Sequence, residues 1–337
     1  MAELSQVKHV RILTNGIHLH CAVAGGGPLL VMLHGFPEFW GSWSRQIAVL
    51  DKHFTVVAPD LRGFGESDKP RTGYDAATLA ADIVGVIDAF AEGQRARIVG
   101  HDWGGEIAWA LSYLCPEKID RLSILNSPHP CLLRKRVFTS AQLFRSWYVL
   151  FCGIPILPNW YFRRRGGAGL ATLFRYATAQ PDKPTTQYIT EAKAEMLKPG
   201  AIRAGLEYYR TTVRMGKKGI EFMKAVTDVP TQIIWGEEDP ALGLILLDGL
   251  ERYSQFANTQ IARDRSLDKP RSARRGESIT ARMASSQTGP LAACGGSKID
   301  RVRIDPPAPI IPERKPCQDI RSRTCSASRR RENRESR

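Results

Sequence analysis

The chain is short of several things, and each shortage narrows its class. No apolar stretch reaches the roughly 18 to 20 residues that a membrane-spanning helix needs, and Met1 to Lys8 is too polar for a secretory signal. The nearest approach, Trp147 to Phe162, is broken by Gly153, Pro155 and Pro158. It reads as the apolar wall of a pocket, with peripheral contact to a membrane as the lesser alternative. The seven cysteines (Cys21, Cys115, Cys131, Cys152, Cys294, Cys317 and Cys325) are odd in number, with no close pairing and no zinc-like spacing. That excludes a disulfide framework and a metal site, fits a reducing cytoplasm, and leaves no cofactor to expect. No histidine occurs after His129, and no Phe, Trp or Tyr after Phe256. An imidazole base therefore has to come from the first 129 residues.

What is present suits a soluble α/β body. The 337 residues are 43% hydrophobic, enough for one large core with an insertion. The formal charge of +14 is uneven: residues 260–337 hold 19 of the 48 Lys and Arg against 9 of the 34 Asp and Glu, leaving +4 for the rest. Rich in Arg, Ser and Pro and free of aromatics, that tail cannot bury enough apolar surface to offset its ordering entropy, so disorder is expected there. Without interleaved aromatics it does not read as a nucleic-acid binder.

Apolar runs alternate with helical patterns through the first half, the signature of a mostly parallel sheet with crossover helices. Val10 to Thr14 and Ile17 to Ala24 form a leading hairpin around Asn15-Gly16, a strong two-residue turn signal. Buried strands follow at Leu29 to Leu33, Phe54 to Ala58, Ala96 to Val99 and Leu122 to Leu125, with helices over Ala76 to Ala91 and Glu106 to Leu114. Four segments result: 1–131 is the first part of an α/β core, 132–225 a helical cap, 226–256, with the strand Thr231 to Trp235, the second part of the core, and 257–337 the basic tail.

The strongest chemical signal is Gly100-His101-Asp102-Trp103-Gly104-Gly105, between a strand and a helix. This matches a nucleophile elbow, where the nucleophile occupies a strained turn that admits only small residues two before and two after it. Here the nucleophile is Asp102. A carboxylate is ionised without help from a base, so it can attack an sp³ carbon bearing a strained oxygen or a halogen. His34-Gly35-Phe36-Pro37-Glu38-Phe39-Trp40 follows another strand, and the backbone N–H groups of Phe36 and Trp103 are placed to form an oxyanion hole. His34 reads as a structural turn histidine. Asp60 to Ser67 adds a further structural turn. In Trp235-Gly236-Glu237-Glu238-Asp239-Pro240, Asp239 stands where an orienting acid belongs, with Glu237 and Glu238 close enough to compete for the role.

Together with Asn126-Ser127-Pro128-His129-Pro130, these motifs resemble the epoxide hydrolases of the α/β-hydrolase superfamily over roughly Val10 to Tyr253. The resemblance implies an α/β-hydrolase fold with an inserted helical cap and a small hydrophobic epoxide as substrate. It also implies two cap tyrosines that donate to the epoxide oxygen. The matching positions are Tyr148 and Tyr209, with Tyr208 as the competing choice for the second. A haloalkane dehalogenase shares the Asp elbow and the following Trp, but the residue after His-Gly is Phe36, which offers no side-chain donor for a halide.

The chain departs from the family after Tyr253. No catalytic histidine is found where the triad needs one, nor a closing strand, histidine loop and helix, and the basic tail looks like the product of a shifted reading frame. Ester formation without hydrolysis, or an inactive relic, is then the expectation for this chain. The strand Thr231 to Trp235 would also be left as a bare sheet edge.

Overall fold

A computed structural model describes residues 7–137, 139–177, 186–254 and 258–262. Strands β1 (Lys8–Thr14), β2 (Ile17–Ala24), β3 (Leu29–Leu33), β4 (Thr55–Pro59), β5 (Ala96–His101), β6 (Ile119–Leu125), β7 (Thr231–Gly236) and β8 (Asn258–Ala262) form one sheet in the order β1-β2-β4-β3-β5-β6-β7-β8. The leading hairpin β1–β2 is antiparallel and joins β4 antiparallel, while every pairing from β4 through β8 is parallel. Asn15 and Gly16 both have positive φ, 46° and 78°, as a two-residue turn with the twist of a hairpin requires.

Helices α1 (Ser44–Leu50), α2 (Ala76–Phe90) and α3 (Trp103–Leu114) cover the two faces. Asp75 starts α2 by accepting the Thr78 N–H at 3.0 Å, and Leu79, Ala80, Ile83, Val86 and Ile87 recur at helical spacing on its buried side. On one face α2 and α3 pack on β3, β5 and β6 through Ile98, Ile107, Trp109, Leu111 and Ile124. On the other, α1 lays Ile47 and Leu50 against Leu30, Met32, Val56 and Val99. Side chains buried to this degree contribute roughly 1.5 to 3 kcal/mol each.

Between β6 and β7 the chain is helical: α4 (Pro130–Arg136), α5 (Ser140–Arg145), α6 (Trp147–Gly153), α7 (Leu157–Ala177), α8 (Thr186–Leu197) and α9 (Ala201–Met215) precede a short 3-10 stretch, Gly216–Lys224. Helix α7 is broken where Arg165, Gly166 and Gly167 take positive φ. The run Trp147 to Phe162 is only in part the pocket wall that its composition suggests. Cys152 and Phe162 are buried, whereas Trp147, Leu150, Ile156 and Trp160 face outward.

The sheet does not end at β7. β8 pairs with it in parallel from Gln232↔Asn258 to Gly236↔Ala262 and covers the edge that sequence patterning leaves bare. Its backbone forms the ladder although Thr259 and Ile261 are exposed, so it carries little of the apolar signal by which the other strands are read. The disorder and the altered reading frame expected for the tail fall on residues 263–337, outside the described residues.

Candidate active site

Four loops leave the C-terminal ends of β3, β5, β6 and β7 on one side of the sheet, the side where parallel α/β sheets place their ligands. The turn from β5 to α3 puts Asp102 at φ 50°, ψ −119°. For a residue with a side chain this is a strained conformation, and it persists only because the surroundings fix it. A Cβ on Gly100 would lie 2.4 Å from the Gly104 carbonyl oxygen, and one on Gly104 would lie 2.2 Å from that of Leu33. Both positions are closed to any other residue. Ser127 Oγ–H donates to the Asp102 carbonyl at 2.8 Å and ties the elbow to the loop after β6.

The loop after β3 meets the nucleophile directly. Gly35 passes so close that a Cβ there would fall 2.5 Å from that of Asp102. Phe36 N–H donates to Asp102 Oδ1 at 2.8 Å, and the Trp103 N–H donates to the same carboxylate. Burial raises Asp102 to about 6, while nearby His101 and the two N–H donors keep it from rising further. The ionised form therefore prevails at pH 7.

Two groups that motif matching left aside shape this field. Glu38 Oε2 accepts from Gly35 N–H at 3.0 Å and pairs with His101 Nδ1 at 3.2 Å. Burial works against its ionisation, but His101 and the Gly35 N–H outweigh burial and hold it at about 2. Glu106, one turn into α3, is pushed up to about 8 by burial and then by Asp102, so it is a neutral acid at pH 7. Only its place four residues after the nucleophile could have marked it from sequence.

From the cap, Tyr209 on α9 is 4% exposed and sets its ring edge-on to Trp103 (5.0 Å), Phe36 (5.5 Å) and Tyr148 of α6 (6.3 Å). Burial, and next the charge of Asp102, drives both phenols well above their ordinary pKa, so both stay protonated. Tyr208 is directed elsewhere: its hydroxyl donates to the Arg62 carbonyl at 2.8 Å. Both rings stand edge-on to Trp103, Tyr208 at 5.3 Å and Tyr209 at 5.0 Å, and Tyr209 also packs on Phe36.

Asp239 follows β7. Its Oδ1 accepts the N–H groups of Ala241 and Leu242, each at 2.7 Å, and its Oδ2 accepts the Asn126 side-chain amide. Asn126, at φ 42°, also accepts the Gly236 N–H at 3.2 Å, which locks the ends of β6 and β7 together. Glu237 and Glu238 are exposed. The charges of Asp102 and Asp239 both act on the Tyr148 hydroxyl and help to keep it protonated.

The histidines near the motifs are engaged elsewhere. His34 is buried, with Nδ1 at 2.8 Å from the Gly35 carbonyl and Nε2 accepting the Leu61 N–H at 3.0 Å, a structural role as its turn suggests. His129 accepts the Cys131 N–H through Nδ1, and its Nε2 lies 3.0 Å from a Tyr113 hydroxyl that itself donates to the Tyr253 carbonyl. This arrangement requires the neutral Nε2–H tautomer, and burial lowers the ring to about 3. Asp60 is likewise structural, accepting from Trp40 N–H and Glu66 N–H and pairing with His20. Among the described residues no cluster of His, Cys, Asp and Glu is arranged to hold a metal ion, and no helix is long and apolar enough to cross a membrane.

The family model described as alpha/beta hydrolase fold matches residues 28–150. AB hydrolase superfamily protein YfhM of Bacillus subtilis is 37% identical over 256 residues, which cover 73% of this chain and 87% of that one. Soluble epoxide hydrolase of Corynebacterium is 31% identical over 69% of this chain and 82% of its own. Mouse epoxide hydrolase 4 is 35% identical over 68% and 66%. Among solved structures, the Bacillus megaterium epoxide hydrolase in complex with an inhibitor superposes with a TM-score of 0.72 at 28% identity, over 81% of this chain and all of that one. The chain is thus a member of the α/β-hydrolase superfamily and, within it, a hydrolase of the epoxide hydrolase type.

Proposed function

We propose that this chain opens small hydrophobic epoxides by attack of the Asp102 carboxylate, forming a covalent ester that is hydrolysed to a diol slowly or not at all. The observation that carries this reading is the Asp102 carboxylate, held by the Phe36 N–H at 2.8 Å, with its charge acting on two protonated tyrosines. With Oδ1 anchored there, Oδ2 is the attacking atom. As the new bond between Oδ2 and carbon forms, the carbon–oxygen bond of the epoxide breaks, and the departing alkoxide takes the proton of Tyr148 or Tyr209. The aromatic lining from Phe36, Trp103, Phe162 and the two tyrosines suits an apolar substituent.

Hydrolysis of the ester needs a base to activate water, while the N–H groups of Phe36 and Trp103 receive the oxyanion. In this reading Asp239 is the orienting acid, but the sequence supplies no histidine beyond His129 for it to orient. Halide displacement is the weaker reading, because Phe36 offers no second side-chain donor beside Trp103.

Intact-protein mass after incubation with styrene oxide, with the diol assayed in parallel, tests the proposal. One substrate mass added at Asp102 with little diol is expected. Sustained diol formation would show that another group supplies the base, and unmodified protein with no diol would sink the reading.

A further inference from the structure

We propose that the outer face of the cap, formed by α6, the first half of α7 and the end of α9, docks on an anionic lipid bilayer. The charge of the folded body is split. Residues 132–225 hold 17 Lys and Arg against 5 Asp and Glu, a net of +12, while residues 1–131 and 226–259 together hold 12 against 20, a net of −8. The mild net charge of the body conceals a basic cap on an acidic base, and such a dipole orients the cap toward a negative surface.

The same face carries apolar side chains that point into solvent. Ile156 is 81% exposed, Leu150 and Trp160 54% each, and Trp147 52%. Ile156 and Trp160 line a surface groove of about 530 Å³ with Arg163, Arg210, Arg214 and Glu207, and Glu207 pairs with both Arg210 and Arg214, which leaves Arg163 as the groove's cation without an acidic partner among the described residues. Arg210 donates to the Ile154 carbonyl at 3.0 Å, which fastens α9 to the loop between α6 and α7. The Arg164 guanidinium lies 4.5 Å over the Trp160 ring, and Arg163 bonds Asn159, so neither has an acidic partner among the described residues. Ile156 has φ 66°, an unfavourable conformation for a β-branched residue, and the turn that contains it holds its side chain outward.

Protruding Ile, Leu and Trp ringed by arginines match the interfacial zone of a bilayer, where the rings and aliphatic chains enter the acyl boundary and the guanidinium groups meet phosphate. A second copy fits less well, because two cap segments that each carry a net charge of +12 repel each other. Nucleic acid gives an exposed Ile156 or Leu150 nothing to bury against.

The full chain is mixed with vesicles of phosphatidylcholine alone or of an equimolar mixture with phosphatidylglycerol, and the bound fraction is measured by flotation. Binding to the mixed vesicles is expected, with quenching of tryptophan fluorescence by brominated lipid. The basic tail is also drawn to anionic lipid, so the deciding variants lie in the patch. Ile156→Ser combined with Trp160→Ser should weaken binding at least about tenfold. Arg163→Gln, Arg164→Gln and Arg165→Gln together should weaken it on the order of a hundredfold. Both variants should keep the wild-type melting temperature and react normally with styrene oxide in solution. The proposal is overturned if no binding occurs, if binding survives both sets of substitutions and so belongs to the tail, or if sedimentation shows that the patch holds a dimer instead.

Discussion

Asp102 is pulled two ways: burial raises its pKa, while the N–H groups of Phe36 and Trp103 stabilise its charge. In the proposed reaction the ionised form is the nucleophile. The single-turnover rate of alkylation by styrene oxide should therefore rise with pH through about 6 and level off above it, and Asp102→Asn should abolish the adduct. The adjacent tyrosines separate chemistry from scaffolding. Tyr209→Phe removes a proton donor and should slow alkylation by roughly 10²- to 10⁴-fold with little change in stability. Tyr208→Phe leaves the buried Arg62 carbonyl without its donor and should lose about 1 to 3 kcal/mol in urea unfolding while alkylation persists.

At the scale of elements, the elbow works because α3 starts against β3 with no side chain between them. Gly104→Ala places a methyl group 2.2 Å from the Leu33 carbonyl and should destabilise the fold by about 3 kcal/mol or more, measured by chemical denaturation. The far edge of the sheet gives a second case. β8 is held to β7 by backbone pairing, so a chain ending after Ala262 should remain monomeric by size exclusion, whereas one ending after Ser254 exposes the β7 ladder and should aggregate. This edge strand was not legible in the sequence. Five residues with exposed Thr259 and Ile261 carry no buried alternation, and only the partner strand selects them. The hairpin at Asn15-Gly16 was legible because two positive φ values suit that dipeptide wherever it stands.

For the molecule as a whole, buried ionisable groups set the pH range of stability. Glu106 titrates near 8 when folded and near 4.5 when unfolded, so the folded state keeps a proton the unfolded chain releases, and stability falls as pH rises across that window. His129 acts at the other end. It stays neutral in the fold down to about 3, while the unfolded ring takes up a proton below about 6.5, so stability falls as pH drops through that range. Unfolding midpoints in urea should therefore decline from mildly acid pH toward pH 8 in the wild-type chain, and decline less in Glu106→Gln.

The sequence by itself determined the superfamily, the leading hairpin and the tight strand-to-helix turn at Asp102. Each of these rests on a local backbone constraint or on the order of motifs along the chain, and both are written in one dimension. Tertiary structure decided the rest. It engaged the Tyr208 hydroxyl with the Arg62 carbonyl. It closed His129 between Cys131 and Tyr113, made a neutral acid of Glu106, and turned half of the Trp147 to Phe162 run outward. The direction a side chain faces and the field it feels depend on neighbours distant in sequence, and no local pattern records them.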